Sequence, residues 1–268
     1  MSEEKEMGFL DHLEELRWRL VKSAAAIMVF GVLAFIYKDI VFDGIILAPK
    51  DNTFITYRLF CKLGQLLGLG NDLCFGAFNF SLQNLTMSGQ FGTHMMVSAI
   101  TGIILAFPFV FYQLWCFIKP GLKDKERRLA KGIVFYASML FFLGVLFGYF
   151  VLAPLSIQFL GTYQVSTSVQ NQISLDSFID TITSLTLLTG VVFEMPILIY
   201  FLAKLGVVSA GFLSKYRKHA FIVVLIIAAI ITPPDVISQL IVTGPLMLLY
   251  EAGIVVARRI EKNRPKED

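Results

Sequence analysis

The chain has 268 residues, 56% of them hydrophobic and only 16% charged, with a mean hydropathy of +0.70. Soluble domains carry about 45–50% apolar and about 25% charged residues, so a soluble globule is excluded, and apolar runs that are continuous rather than alternating exclude a β-barrel. A net charge of +3 is too small to describe a nucleic-acid surface.

A hydrocarbon core of about 30 Å takes about 20 helical residues. By that measure residues 1–268 are predicted to form a single integral, all-α polytopic membrane domain. Its six transmembrane helices are expected at 20–42, 94–118, 132–153, 178–203, 217–232 and 236–257. Residues 1–19 read as a cytoplasmic amphipathic helix, whose HLEELRWRL stretch lines up Leu10, Leu13, Leu16 and Leu20 on one face. His12, Glu15 and Arg19 fall on another face. One reading of that face is a solvated surface on which Glu15 pairs with Arg19, worth about 0.2–0.5 kcal/mol. The first apolar run follows charge as a signal peptide would, yet it continues into FIYKDIVF without a small-residue cleavage site. It therefore reads as an uncleaved first helix.

Residues 43–92 form the first periplasmic loop, in which TFITYRLFCKLGQLLGL is amphipathic and suited to the interface plane. Cys61 and Cys74 both lie in this loop, on the oxidising side. Compartment permits a Cys61–Cys74 disulfide, and spacing alone does not prove it. After the second span comes the first cytoplasmic loop, 119–131, within WCFIKPGLKDKERR. Pro120 and Gly121 break the helix, and Glu126 sits among lysines and arginines, where it can be a mere counter-charge in a topology-setting loop. The long run 132–175 is expected to break at Pro154 and turn polar.

The fourth span, GVVFEMPILIY, sets Glu194 among apolar neighbours. A charge at a helix centre costs about 2.5–3.5 kcal/mol on insertion scales, so Glu194 should face the bundle interior or a wet cavity. Pro196 weakens the ladder beside it. A structural alternative is a hydrogen bond from Glu194 to a Ser or Thr on a neighbouring helix. The fifth span offers about 15 uncharged residues, about 22 Å at 1.5 Å each. The fifth and sixth spans are expected to be short, leaving the bilayer thinned beside them. In TPPDVISQ, Asp235 is placed to cap the sixth helix, and Gln239 is assigned to the turn before it. Glu251 is close in sequence to Arg258 and reads as structural.

Positive-inside bias orients the bundle. Nineteen of the 23 basic residues fall in the amino-terminal segment through Lys22, in the loop after the second span, in the stretch from Lys204 through Lys218, and in the tail. Both termini are thus expected in the cytoplasm. Enzyme signatures such as HExxH, GxSxG or a P-loop are missing from the sequence. His12, His94 and His219 share no metal-ligand spacing, so no catalytic residue, cofactor or metal is implied.

Taken in order, HLEELRWRL, FPFVFYQLWCFIKPGLKDKERR, GVVFEMPILIY, TPPDVISQ and LLYE resemble the successive motifs of the TatC family, the multi-spanning core subunit of the twin-arginine protein translocase. The resemblance covers nearly the whole chain. It implies a signal-peptide receptor in the bacterial cytoplasmic (inner) membrane that exports folded proteins, powered by the proton gradient. The implied partners are twin-arginine signal peptides, small single-span subunits of the TatA and TatB type within a hetero-oligomeric complex, and the lipid bilayer. Carried over residue by residue, the recognition glutamates are Glu15 and Glu126. Arg17 and Arg127 hold them ionised, and Phe117 and Pro120 shape the loop. Glu194 and Gln239 line an intramembrane pocket where a partner helix docks. The chain departs from the family in its longer first loop and in MSGQFGTHMM before the second span, with Gln90 and His94. A proton-coupled secondary transporter using Glu194 is the competing class. It would show paired broken helices in two related halves, whereas Pro108, Pro154, Pro196 and Pro245 follow no evident repeat.

Overall fold

The apolar runs fold as helices in a computed structural model that describes residues 9–51, 53–66, 68, 81–118, 132–166, 168, 171–233 and 236–262. In chain order these are α1 (Phe9–Ile36), α2 (Ile55–Leu66), α3 (Gly89–Ile118), α4 (Ile133–Phe147), α5 (Ala153–Thr162), α6 (Leu175–Val192), α7 (Met195–Lys204), α8 (Ala210–Lys215), α9 (Arg217–Ile231) and α10 (Val236–Lys262). Two-residue strands β1 (Leu82–Gln83) and β2 (Ile173–Ser174) pair in parallel, Leu82 opposite Ile173. Among the described residues five continuous helical stretches are long and apolar enough to cross a membrane.

Several boundaries differ from the sequence expectation. The amphipathic segment and the first span are one uninterrupted helix, α1, because no Pro interrupts the chain between Glu15 and Ile36 and the single Gly31 is tolerated inside it. The third span does not end at Pro154. Helix α4 widens into a π-helical turn at Gly148–Leu152 and runs on through α5 to Thr162. Pro154 sits in the first turn of α5, where its missing N–H is tolerated. The fourth span is two helices, α6 and α7, separated by the Phe193–Glu194 turn with Pro196 just inside α7. Helix α9 has the 15 residues expected of a short span. Helix α10, by contrast, has 27 residues and is not short, since it carries Pro245 internally and continues into the basic Arg259 and Lys262.

The chain divides into two compact units, Met1–Lys38 with His94–Met139 and Asp39–Thr93 with Leu140–Asp268. In the first, α1 meets α3 through glycine. A Cβ on Gly102 would lie 2.7 Å from the Ile27 carbonyl oxygen and 2.9 Å from the Gly31 Cα. Small residues that let backbones touch are how helices associate where lipid supplies no hydrophobic contrast. His94 stacks on Phe35 with ring centroids 3.9 Å apart, and its Nε2 lies 3.2 Å from the Phe35 carbonyl oxygen.

In the second unit the same device joins α4 and its π-helical turn to α6. A Cβ on Gly144 would fall 2.8 Å from the Thr189 carbonyl oxygen, and one on Gly148 would fall 2.8 Å from the Leu185 carbonyl oxygen. Phe141, Leu152, Ile179, Ile182 and Leu185 are fully buried there. A further apolar cluster, including Ile199, Ala203, Leu213, Tyr250 and Ile254, packs α7 and α8 against α10. Wide turns leave carbonyls outside the regular ladder, and hydroxyls meet them. Thr56 donates to the Phe150 carbonyl at 2.6 Å, and Tyr149 donates to the Ile45 carbonyl, itself in a π-helical segment (Ile40–Ile46), at 2.6 Å. Tyr57 donates to the Pro49 carbonyl at 2.8 Å, and burial pushes its phenol well above the ordinary range, so it stays a donor. Cys61 in α2 is disulfide-bonded; Cys74 lies outside the described residues.

Candidate functional site

Within the first unit, the beginning of α1 and the end of α3 bring together His12, Glu15 and Arg19 with Tyr112, Cys116 and Phe117. Spacing of three and four residues puts His12, Glu15 and Arg19 on one side of α1. The His12 ring stacks on Phe117 with centroids 4.3 Å apart and planes 14° from parallel. Glu15 accepts from Arg19 Nε at 3.0 Å, and a second guanidinium nitrogen of Arg19 bonds to the same oxygen, Oε1. Glu15 Oε2 is buried and has no hydrogen bond among the described residues. Arg19 also lies near Cys116 and Tyr112 of α3. Cys116 is a free thiol.

The expected partner of Glu15 is therefore corrected. Arg17 is exposed and points away from the carboxylate, because two residues on a helix turn by about 200°. Arg19 orients Glu15 instead, which the bare i,i+4 reading did foresee. Phe117 is brought to Glu15's face of α1 by its stack on His12. Pro120, Glu126 and Arg127 lie outside the described residues.

Within the second unit Glu194 occupies the turn between α6 and α7, with φ −73° and ψ −3°. Its carbonyl accepts from the Ile197 and Leu198 N–H groups at 3.0 Å each, so the backbone of the turn is satisfied. Its side chain is not. Both carboxylate oxygens are buried without a hydrogen bond of ordinary geometry, although the Phe141 main chain lies close enough to act on them. The Ser or Thr partner of the structural alternative is not found among the described residues. Nor are the hydroxyls of Thr186 and Thr189, buried on the α6 face opposite Gly144 and Gly148, given a partner. Gln239 sits in the first turn of α10 rather than in a loop, and its amide donates to the Leu225 carbonyl of α9 at 3.2 Å. That bond ties two helices together. Glu251 is paired across to Arg217 at 2.8 Å, not to Arg258. Among the described residues no group of three or more His, Cys, Asp or Glu side chains could hold a metal ion.

Comparison with known proteins decides what these helices belong to. The family model described as "Sec-independent protein translocase protein (TatC)" matches residues 11–245. The chain is a member of the TatC family. A TatC protein of Blattabacterium sp. subsp. Periplaneta americana is 41% identical over 98% of this chain and 99% of its own length. TatCy of Bacillus subtilis is 32% identical over 97% of this chain and 92% of its own. A crystal structure described as "Twin Arginine Translocase Receptor- TatC" superposes with a TM-score of 0.70 at 31% identity, covering 93% of this chain and 99% of that one. These relatives are named as protein translocase subunits, and nothing among them supports a transporter of small solutes.

Membership fixes the chain as a multi-pass membrane protein of the twin-arginine system. Two features of its sites were missed in the sequence. The Cys116–Arg19 contact joins residues 97 apart, and no local pattern predicts such a pair. Thr186 and Thr189, three residues apart on one helical face, could have been found by asking which hydroxyls precede Glu194 on its own helix.

Proposed function

We propose that this TatC-family protein is the signal-peptide receptor of its translocase, binding the paired arginines of a folded cargo's leader through Glu15 and Glu126. It spans the cytoplasmic membrane six times, with α9 as a short fifth crossing and both termini in the cytoplasm. The observation that carries the reading is Glu15: a half-buried carboxylate at one end of the α1–α3 pair, with a buried oxygen unclaimed among the described residues. A guanidinium matches a carboxylate through two parallel N–H···O bonds, a geometry that lysine lacks. Phe117, partly buried and stacked on His12, adds an aromatic ring to the site, the kind of group on which a guanidinium plane can stack.

Single-span partners of the TatA and TatB type dock, in this reading, beside Glu194, whose unpaired carboxylate offers an acceptor to a polar group on the incoming helix. The test is photo-crosslinking from the twin-arginine region of a leader peptide to the protein in nanodiscs. Adducts should map to residues around Glu15 and to 119–131, and they should vanish in Glu15→Gln and Glu126→Gln variants that still insert. Undiminished adducts in both variants would remove the assignment.

A further inference from the structure

The Glu15–Arg19 pair does more than decorate a helix surface. The two side chains are only 25% and 22% exposed. Both guanidinium donors converge on Oε1, so Arg19 saturates one oxygen and leaves the other, buried Oε2, vacant of hydrogen bonds among the described residues. Cys116 and Tyr112 of the neighbouring helix lie near Arg19. A second guanidinium cannot fork onto both oxygens while Arg19 holds Oε1, and two cations brought to one carboxylate repel each other.

Resting on the reading that Glu15 receives a leader arginine, we propose that Arg19 is an internal stand-in for the leader: it occupies the receiving carboxylate in the empty receptor and sets the affinity threshold a leader must exceed. Leader binding then exchanges one guanidinium for another at Glu15, and Arg19 turns away from it. Because only the Arg19-free form accepts a leader, every leader is weakened by the same factor. A well-matched leader still binds at its working concentration, whereas a poorly matched one falls below it. The ratio between leaders is unchanged, since specificity is a difference of affinities; the competing contact sets which of them bind at their working concentration.

The experiment titrates fluorescent leader peptides, one with both arginines and one with a lysine in place of the first, against the full-length protein in nanodiscs. Arg19→Gln and Arg19→Lys should each lower Kd for both peptides by a common factor, about two- to fivefold for a partly buried ion pair of this kind. Arg19→Lys matters because it keeps the charge and removes the fork. Looser or unchanged binding in Arg19→Gln overturns the proposal, since Arg19 would then be an orienting group or a bystander. Wild-type affinity in Arg19→Lys overturns it too, by reducing the effect to net charge. Glu15→Gln separates the two readings. If that variant binds leaders normally, the receptor role of Glu15 falls and this inference with it. If it loses binding while the Arg19 variants fail to tighten it, the stand-in alone is wrong.

Discussion

Glu194 keeps a carboxylate buried without an ordinary hydrogen bond among the described residues, and an unmet buried polar group costs about 1–3 kcal/mol by mutational measure. Replacing it with leucine, a side chain of similar volume, should raise the unfolding free energy of the purified protein by about 1–3 kcal/mol while cutting export at least tenfold. A fall in both would mean that the side chain is a structural member of the bundle. Trading stability for activity is the usual mark of a working polar site. Sequence alone located this residue, because a lone acid in an apolar run is conspicuous. It could not show that the Thr186 and Thr189 hydroxyls of α6 also lack a partner among the described residues, since helical threonines ordinarily bond back to their own helix. Sequence also named Arg17 beside Glu15, from its nearness along the chain, where helical geometry selects Arg19.

At the scale of elements, the glycine contacts decide which helices can meet. Gly102→Leu drives a side chain into the α1 backbone at Ile27 and Gly31, and Gly148→Leu drives one into α6 at Leu185 and Thr186. Each should destabilise the protein by about 1–3 kcal/mol or more, seen as a lower denaturation midpoint in detergent. Gly244→Ala, with open space around its Cβ position, should be nearly neutral. Hydropathy found the helices but misjudged their ends. Pro154 looked like a terminator because the widened turn that accommodates it carries no sequence signature, and α10 runs past its expected end at residue 257 because its last turn is basic rather than apolar. The Pro196 bend was legible, since a proline two residues past a buried acid marks a weakened ladder.

For the whole molecule, hydropathy and charge bias predicted the class and a crossing pattern, and the order of motifs predicted the family. Long-range pairings such as β1 with β2 or Glu251 with Arg217 were not legible, because their partners lie far apart in sequence. The orientation we propose puts residue 262 inside the cell, so a reporter that folds only in the cytoplasm should be active when fused there and inactive when fused after Ser168. The reverse pattern would invert the bundle. Alkylation gives a second check. Without reductant one cysteine, Cys116, should react in the denatured chain, and with reductant all three should, as read by mass. Three adducts without reductant would exclude a Cys61 bridge.

The hydroxyl bonds from Thr56 and Tyr149 to main-chain oxygens tie α2, the Ile45 turn and the Phe150 turn into one knot. Loosening the Phe150 turn breaks both bonds at once, and loosening either of its partners breaks one, so the three segments open as a linked set. In a deuterium-uptake time course their amides should therefore share a single slow clock, and Thr56→Val should quicken all three.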